Sequence, residues 1–253
     1  MWSGKIDFLT TWKYYLGFLG FLGVTLIIKN ITFSTVAWKN GSPVVYNNVY
    51  FYLQFLTCIF VVMITGKMFG ECFRASTSEY LKTFCISPFQ IIVLRYIKLV
   101  VAILIPYSAV VVLLFREVNT SIMNFIELYP QNAPFPLIDV TIPLFQCAVA
   151  INFYIVITLF LMLLFREPVI PVILLMAYCA LEAGPLNNIF KEYAMFAGSF
   201  GVPNYYDYFP SNILWMIFAL PILFSAVLLF YEKHTFKLFN FSKLFFPHWG
   251  RKT

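Results

Sequence analysis

Residues 70–88 read GECFRASTSEYLKTFCISP, a polar island carrying Glu71, Arg74, Glu79 and Lys82 in a chain that is 61% hydrophobic and only 11% charged. Long apolar runs flank it on both sides. If those runs cross a membrane, the island is a connection at the membrane surface, and the rest of the sequence argues that they do. The 253 residues include 30 Phe and 16 Tyr, the mean hydropathy is +0.83, and apolar runs recur near the ~20 residues that span a hydrocarbon core. Lipid admits only segments that satisfy their own backbone hydrogen bonds, so the expected fold is all-α and polytopic.

Six spans are expected, at about 14–36, 49–69, 88–115, 138–165, 168–186 and 211–231, within a single domain over 1–253. With both termini in the cytoplasm, Lys29, Lys39, Arg116 and Lys191 fall outside and the other thirteen of the 17 Lys and Arg fall inside. Lys and Arg resist translocation, so this asymmetry supports that orientation. The net charge of +6 would suggest nucleic acid in a soluble domain, but distributed this way it is a topology signal, and no nucleic-acid partner is expected.

Several segments add detail. Trp2, Ile6, Leu9 and Trp12 fall near helical spacing, which predicts a helix over 1–13 lying in the membrane surface. Gly17, Gly20 and Gly23 give the first span a small face that a neighbouring helix could approach. Pro106 invites a kink in the third span. After the fifth span, Glu182, Gly184 and Pro185 end an apolar run, and the mildly apolar 187–210 stretch suggests short helices dipping back into the outer leaflet, with Glu182, Gly184 and Pro185 as a gate. Glu182 would cost about 2.5 to 3.5 kcal/mol in lipid, so it is expected to face an interior or a wet cavity. The basic and aromatic tail, 232–253, suits the cytoplasmic membrane surface or a partner there.

The island itself reads as a short helix. Ser76 and Glu79 form a capping box, in which the hydroxyl accepts from a free amide and the carboxylate reaches back. From Thr77 to Ile86, Tyr80, Leu81, Phe84 and Cys85 share one stripe and Ser78, Glu79, Lys82 and Thr83 the other. Ser87 and Pro88 then open the next helix.

Taken together, Glu71, Arg74, Thr77-Ser78-Glu79-Tyr80-Leu81, Ile86-Ser87-Pro88, Ile91, Arg95 and Lys98 resemble the cytoplasmic loop of ABC-2 type ABC exporter permeases. That family carries Glu, a basic residue, Gly-Thr-x-Glu-x-Leu and Pro-Ile-Ser before its third span. Here Ser76 stands in place of the glycine, and Pro88 follows Cys85-Ile86-Ser87. The resemblance implies that 70–87 is a coupling region seated in a cleft of an ATPase, with Glu71, Arg74, Glu79, Tyr80, Leu81, Lys82 and Phe84 as its contacts. It further implies two ATPase subunits that bind ATP and Mg, a second permease protomer, identical or not, and residence in a bacterial plasma membrane. An amphipathic cargo, a peptide such as a bacteriocin or cytolytic toxin or a lipid-like molecule, would suit a lumen lined by Phe, Leu, Ile and Met from spans two and five.

The chain has no motif of its own for this energy. Around Gly66-Lys67, Val61 stands where a Walker A sequence needs glycine and Met68 where it needs Ser or Thr. Both histidines, His234 and His248, lie in the tail, so neither histidine catalysis nor a metal or other cofactor is expected inside the bilayer. Ser108, Gln146 and Asn152 are read as helix-to-helix glue. Two other classes stay open, an ion-coupled secondary transporter and a non-transporting sensor or scaffold. The first usually carries ionisable residues near the midplane, and spans two, four and six have none centrally.

Overall fold

A computed structural model of the chain describes residues 2–28, 35–39, 42–46, 48–73, 88–128, 139–165, 167–183 and 205–233. In chain order the elements are α1 (Trp2–Ile28), β1 (Thr35–Lys39), β2 (Ser42–Tyr46), α2 (Asn48–Phe73), α3 (Pro88–Leu128), α4 (Thr141–Phe165), α5 (Val169–Ala183) and α6 (Tyr205–Lys233). The architecture is helical, with one helix over each apolar run. Among the described residues, three helices, through Tyr52–Gly70 of α2, Gln90–Glu117 of α3 and Leu144–Phe165 of α4, are long and apolar enough to cross a membrane. Val169–Glu182 and Ile213–Leu229 are shorter apolar stretches.

Three expectations change. α1 runs without a break from Trp2 to Ile28, so the surface helix expected over 1–13 is continuous with the first apolar run. The run does not stay helical to 36 either, because Thr35–Lys39 pairs antiparallel with Ser42–Tyr46, Lys39 opposite Ser42 and Thr35 opposite Tyr46. An Asn-Gly dipeptide between two apolar stretches is the strongest short-range hairpin signal in a sequence, and here it outweighs hydropathy. Finally, α3 extends to Leu128, well past the expected end at 115, with Pro106 inside it. Its 41 residues rise about 60 Å, twice the hydrocarbon thickness.

The helices pack around α2 and α4. α2 touches α1, α3, α4 and α5, whereas α4 touches α2, α3, α5 and α6. Accordingly 67% of the apolar window of α2 is buried and only 33% of that of α3. The outward face of α3 is apolar at helical spacing, with Leu94, Ile97, Val101, Ile105 and Val112 exposed. Phe218 and Ile222 are exposed on α6, while Gln54, Thr57, Thr65, Gln146, Thr158 and Glu182 are buried. In water this arrangement is inside-out, because exposed apolar stripes of this extent would drive aggregation. In a bilayer it is the low-energy solution, since lipid covers the apolar faces and protein satisfies the polar ones.

Two kinds of contact fix the packing. Aromatic pairs bridge neighbours: Phe60 lies 5.9 Å from Phe18 and 5.7 Å from Phe21, joining α2 to α1, and Phe153 meets Trp215 edge-on at 4.9 Å, joining α4 to α6. Such pairs add about 0.5 to 1.5 kcal/mol beyond the area they bury. Glycine does more between α2 and α5. A Cβ on Gly66 would lie 2.5 Å from Val172 Cγ2, and one on Gly70 would lie 2.9 Å from Pro168 Cβ. Gly66 and Gly70 form a small-xxx-small step that allows this close approach. The glycines of α1 behave differently, because only Gly17 has a neighbour, Phe60 at 3.5 Å, while Gly20 and Gly23 face open space. Among the described residues, the small face expected there meets a neighbour only at Gly17.

At the other end of α4, the Asp139 carboxylate accepts from the Thr141 amide at 2.9 Å and the Thr141 hydroxyl at 2.8 Å. The amide bond, then the hydroxyl bond, hold its pKa below the ordinary aspartate value. The carboxylate also sits where a helix N-terminus favours negative charge.

Two outcomes are expected. Gly66→Ala lowers stability in micelles by about 1 to 3 kcal/mol through overpacking, whereas Gly20→Ala leaves it unchanged or raises it by up to about 1 kcal/mol. Equal effects in a reversible unfolding titration would contradict the packing described. For Asp139 the folded-state pKa is the lower one, so its stabilisation is present above the unfolded value of about 3.9 and is lost as pH falls through the depressed value. The protection of the Thr141 amide, measured against its intrinsic exchange rate at each pH, should fall on acidification in the wild type and be low at every pH in Asp139→Ala.

Candidate functional site

The close contact of α2 with α5 sets which side chains meet further along. Gly66 stands opposite Val172 and Gly70 opposite Pro168, so the helices run antiparallel in one register. Continued two turns toward the start of α2, the same register brings Cys58 level with the end of α5. Cys58 is there within electrostatic range of Cys179 and Glu182 on α5 and of Cys147 on α4. Tyr154 of α4 borders both Cys58 and Cys179. Tyr178 hydrogen-bonds Glu182, whose carboxylate is only 1% exposed.

From Cys58 the polar seam continues between α2, α3 and α4. Gln54 Nε2 donates to Cys147 Sγ at 3.6 Å, and the Tyr107 hydroxyl lies 3.4 Å from the same sulfur. These groups and Thr57, with Ala150 and Ile151, line a small cavity of about 10 Å³. On α2 the polar positions 54, 58 and 65 share one stripe, four and seven residues apart, with 57 beside it, and on α4 so do 147, 154 and 158, seven and four apart. The arrangement offers hydroxyls, thiols, one amide and one carboxyl, a set that moves protons or holds water. It does not suit a metal, and among the described residues no cluster of three His, Cys, Asp or Glu could hold one.

Further polar ties join α3 to its neighbours. Tyr96 donates to Asn152 Oδ1 at 2.6 Å, Asn152 Nδ2 donates back to the Ala148 carbonyl at 2.7 Å, and the Tyr96 ring packs on Phe224 of α6 at 4.8 Å. Asn152 thus has the gluing role expected of it. Gln146 is buried at the start of α4 and Ser108 is half-buried in α3. Nearer the start of α3, Arg95 Nη1 donates to the Met68 carbonyl of α2 at 3.2 Å.

The residues expected to act are placed unequally. Glu71 belongs to the last turn of α2. Arg74, Glu79, Tyr80, Leu81, Lys82 and Phe84 lie outside the described residues, as do Gly184, Pro185, 187–204 and the tail from 234; the last part of the expected 187–210 segment, from Tyr205, and the first two residues of the expected 232–253 tail belong instead to α6. Glu182 is inside the protein, as its cost in lipid requires. The seam contains residues that sequence reasoning passed over, namely Gln54, Thr57, Tyr107, Cys147, Tyr154 and Cys179. Polar side chains recurring at helical spacing within an apolar run were the available signal. No family model matches the sequence, and comparison with curated proteins and with solved structures gave no match.

A double-mutant cycle on Tyr96→Phe and Asn152→Leu is expected to show a coupling of about 0.6 kcal/mol, and no more than about 1.7, as for interhelical hydrogen bonds in membranes. Strict additivity in mixed-micelle unfolding would mean that the bond does not form.

Proposed function

We propose that the chain is the membrane-spanning permease subunit of an ATP-driven exporter of the ABC-2 type, with all six helices crossing the bilayer and both termini in the cytoplasm. The observation that carries this reading is the Arg95 tie to the Met68 carbonyl. It joins α2 and α3 at the ends that flank 74–87, the segment whose residues resemble the family's coupling region. A short amphipathic helix transmits a push only if the two spans it connects are held together at their base, and a charge-assisted hydrogen bond does that. Glu71, Arg74, Glu79 and Lys82 then supply partner-specific charge pairs around Tyr80, Leu81 and Phe84.

The packing refines where cargo would travel. α2 and α5 are in direct contact at Gly66 and Gly70, so a lumen between these two spans of one protomer has no room. The path is instead formed between two protomers, past the exposed apolar stripe of α5 at Ile170, Ile173, Leu174 and Leu181. Such a surface suits an amphipathic peptide or a lipid-like molecule entering from the inner leaflet. Toxin export or self-protection against such a peptide is the preferred role.

One observation favours a second reading, an ion-coupled secondary transporter. Glu182 is a buried carboxyl hydrogen-bonded by Tyr178, the kind of group that carries protons in such carriers. Transport abolished by an ionophore with ATP intact supports the carrier; transport abolished by ATP depletion with the gradient intact supports the permease.

In the purified complex with its ATPase, Glu79→Lys and Leu81→Asp are each expected to weaken docking tenfold or more, about 1.4 kcal/mol, and to remove most cargo-stimulated hydrolysis. Insertion and the fold stay intact, because neither residue belongs to a span. Unchanged stimulation in both variants, or a native complex without any nucleotidase, would overturn the reading.

A further inference from the structure

We propose that the cavity between α2, α3 and α4 is a built hydration site that holds one water molecule hydrogen-bonded to Thr57 Oγ1. The hydroxyls of Thr25, Thr65, Thr120 and Thr158 each donate to the carbonyl four residues earlier, at 3.0, 2.6, 2.9 and 2.6 Å. This is the usual resting place of a threonine in an apolar helix. Thr57 is 1% exposed, yet its Oγ1 has no hydrogen-bond partner among the described residues. It lines the cavity instead.

The cavity has the size and chemistry for the ligand. Its volume of about 10 Å³ accommodates a single water, and a buried water needs two to four polar partners. Thr57 supplies one, and Gln54, Tyr107, Cys58 and Cys147 surround the same space. Gln54 Nε2 and the Tyr107 hydroxyl both engage Cys147 Sγ, a weak acceptor that leaves either group able to turn toward a stronger one. Apolar cavities stay dry even when far roomier than this one, so hydration here depends on the polar partners that Thr57 and its neighbours supply. The bound water lets α2 exchange hydrogen-bond partners with α3 and α4 without opening an apolar contact. It also places an exchangeable proton at the Cys58 end of the seam that leads to Glu182.

X-ray radiolysis of the full chain in nanodiscs tests this, because hydroxyl radicals formed from a bound water oxidise the side chains beside it. Cys58 and Cys147 border the cavity, and Met162, 0% exposed and packed near Gly66, serves as a sulfur-containing dry reference. In the wild type both cysteines are expected to be oxidised several-fold faster than Met162. Thr57→Val, isosteric but without the hydroxyl, brings them to the Met162 rate, and Thr57→Ser preserves the difference. Cysteines oxidised no faster than Met162 in the wild type, or unaffected by Thr57→Val, would overturn the proposal. Should Thr57→Val fail to fold, the wild-type comparison decides alone.

Discussion

The close approach of α2 to α5 at Gly66 and Gly70 is the constraint on which the rest of the structure depends. With no hydrophobic driving force between helices in lipid, association relies on van der Waals contact, and contact at this distance is possible only where one partner has no side chain. That contact sets a register, and the register carries Cys58 to Cys179 and Glu182 two turns away. α4 then closes over both helices through Tyr154, and α3 and α6 dock on α4 through Tyr96, Asn152 and the Phe153–Trp215 pair.

Polarity follows the same geometry. Each interhelical hydrogen bond is worth only about 0.6 kcal/mol on average in a membrane, so the seam from Gln54 to Glu182 adds little to stability. What it does is exclude alternatives, because rotating α2 by a third of a turn would present Gln54, Thr57 and Thr65 to lipid. A buried hydroxyl left without a partner costs about 1 to 3 kcal/mol, which makes the cavity beside Thr57 the least settled point of the seam and the natural place for solvent.

Much of this was legible in the sequence. Apolar runs located the helices, since hydropathy and backbone satisfaction act on every residue of a span alike. The ends were less legible: Thr35–Lys39 is apolar enough to prolong the first run but pairs with Ser42–Tyr46 instead, and α3 continues past Arg116 because nothing there breaks a helix. Glu182 was readable as buried because its cost in lipid is large. The partners of Cys58 and Tyr107 were not, because which polar residues face each other depends on the rotation of three helices, and that rotation is fixed by Gly66 and Gly70, which sequence alone does not mark as a contact.

Under the proposed reading, α2 is both the helix keyed to α5 and the helix that enters the coupling segment, so a push on 74–87 reaches the seam and the α5 face together. The central claim is that this segment lies on the cytoplasmic side and is covered by a separate ATPase. With Cys72 and Cys85 replaced by serine and the remaining described cysteines buried, Lys82→Cys provides a single reporter for a membrane-impermeant maleimide. Labelling in inside-out but not right-side-out vesicles, suppressed when the ATPase subunit is bound, is the predicted result. Labelling from the exterior, or labelling indifferent to the ATPase, would contradict it.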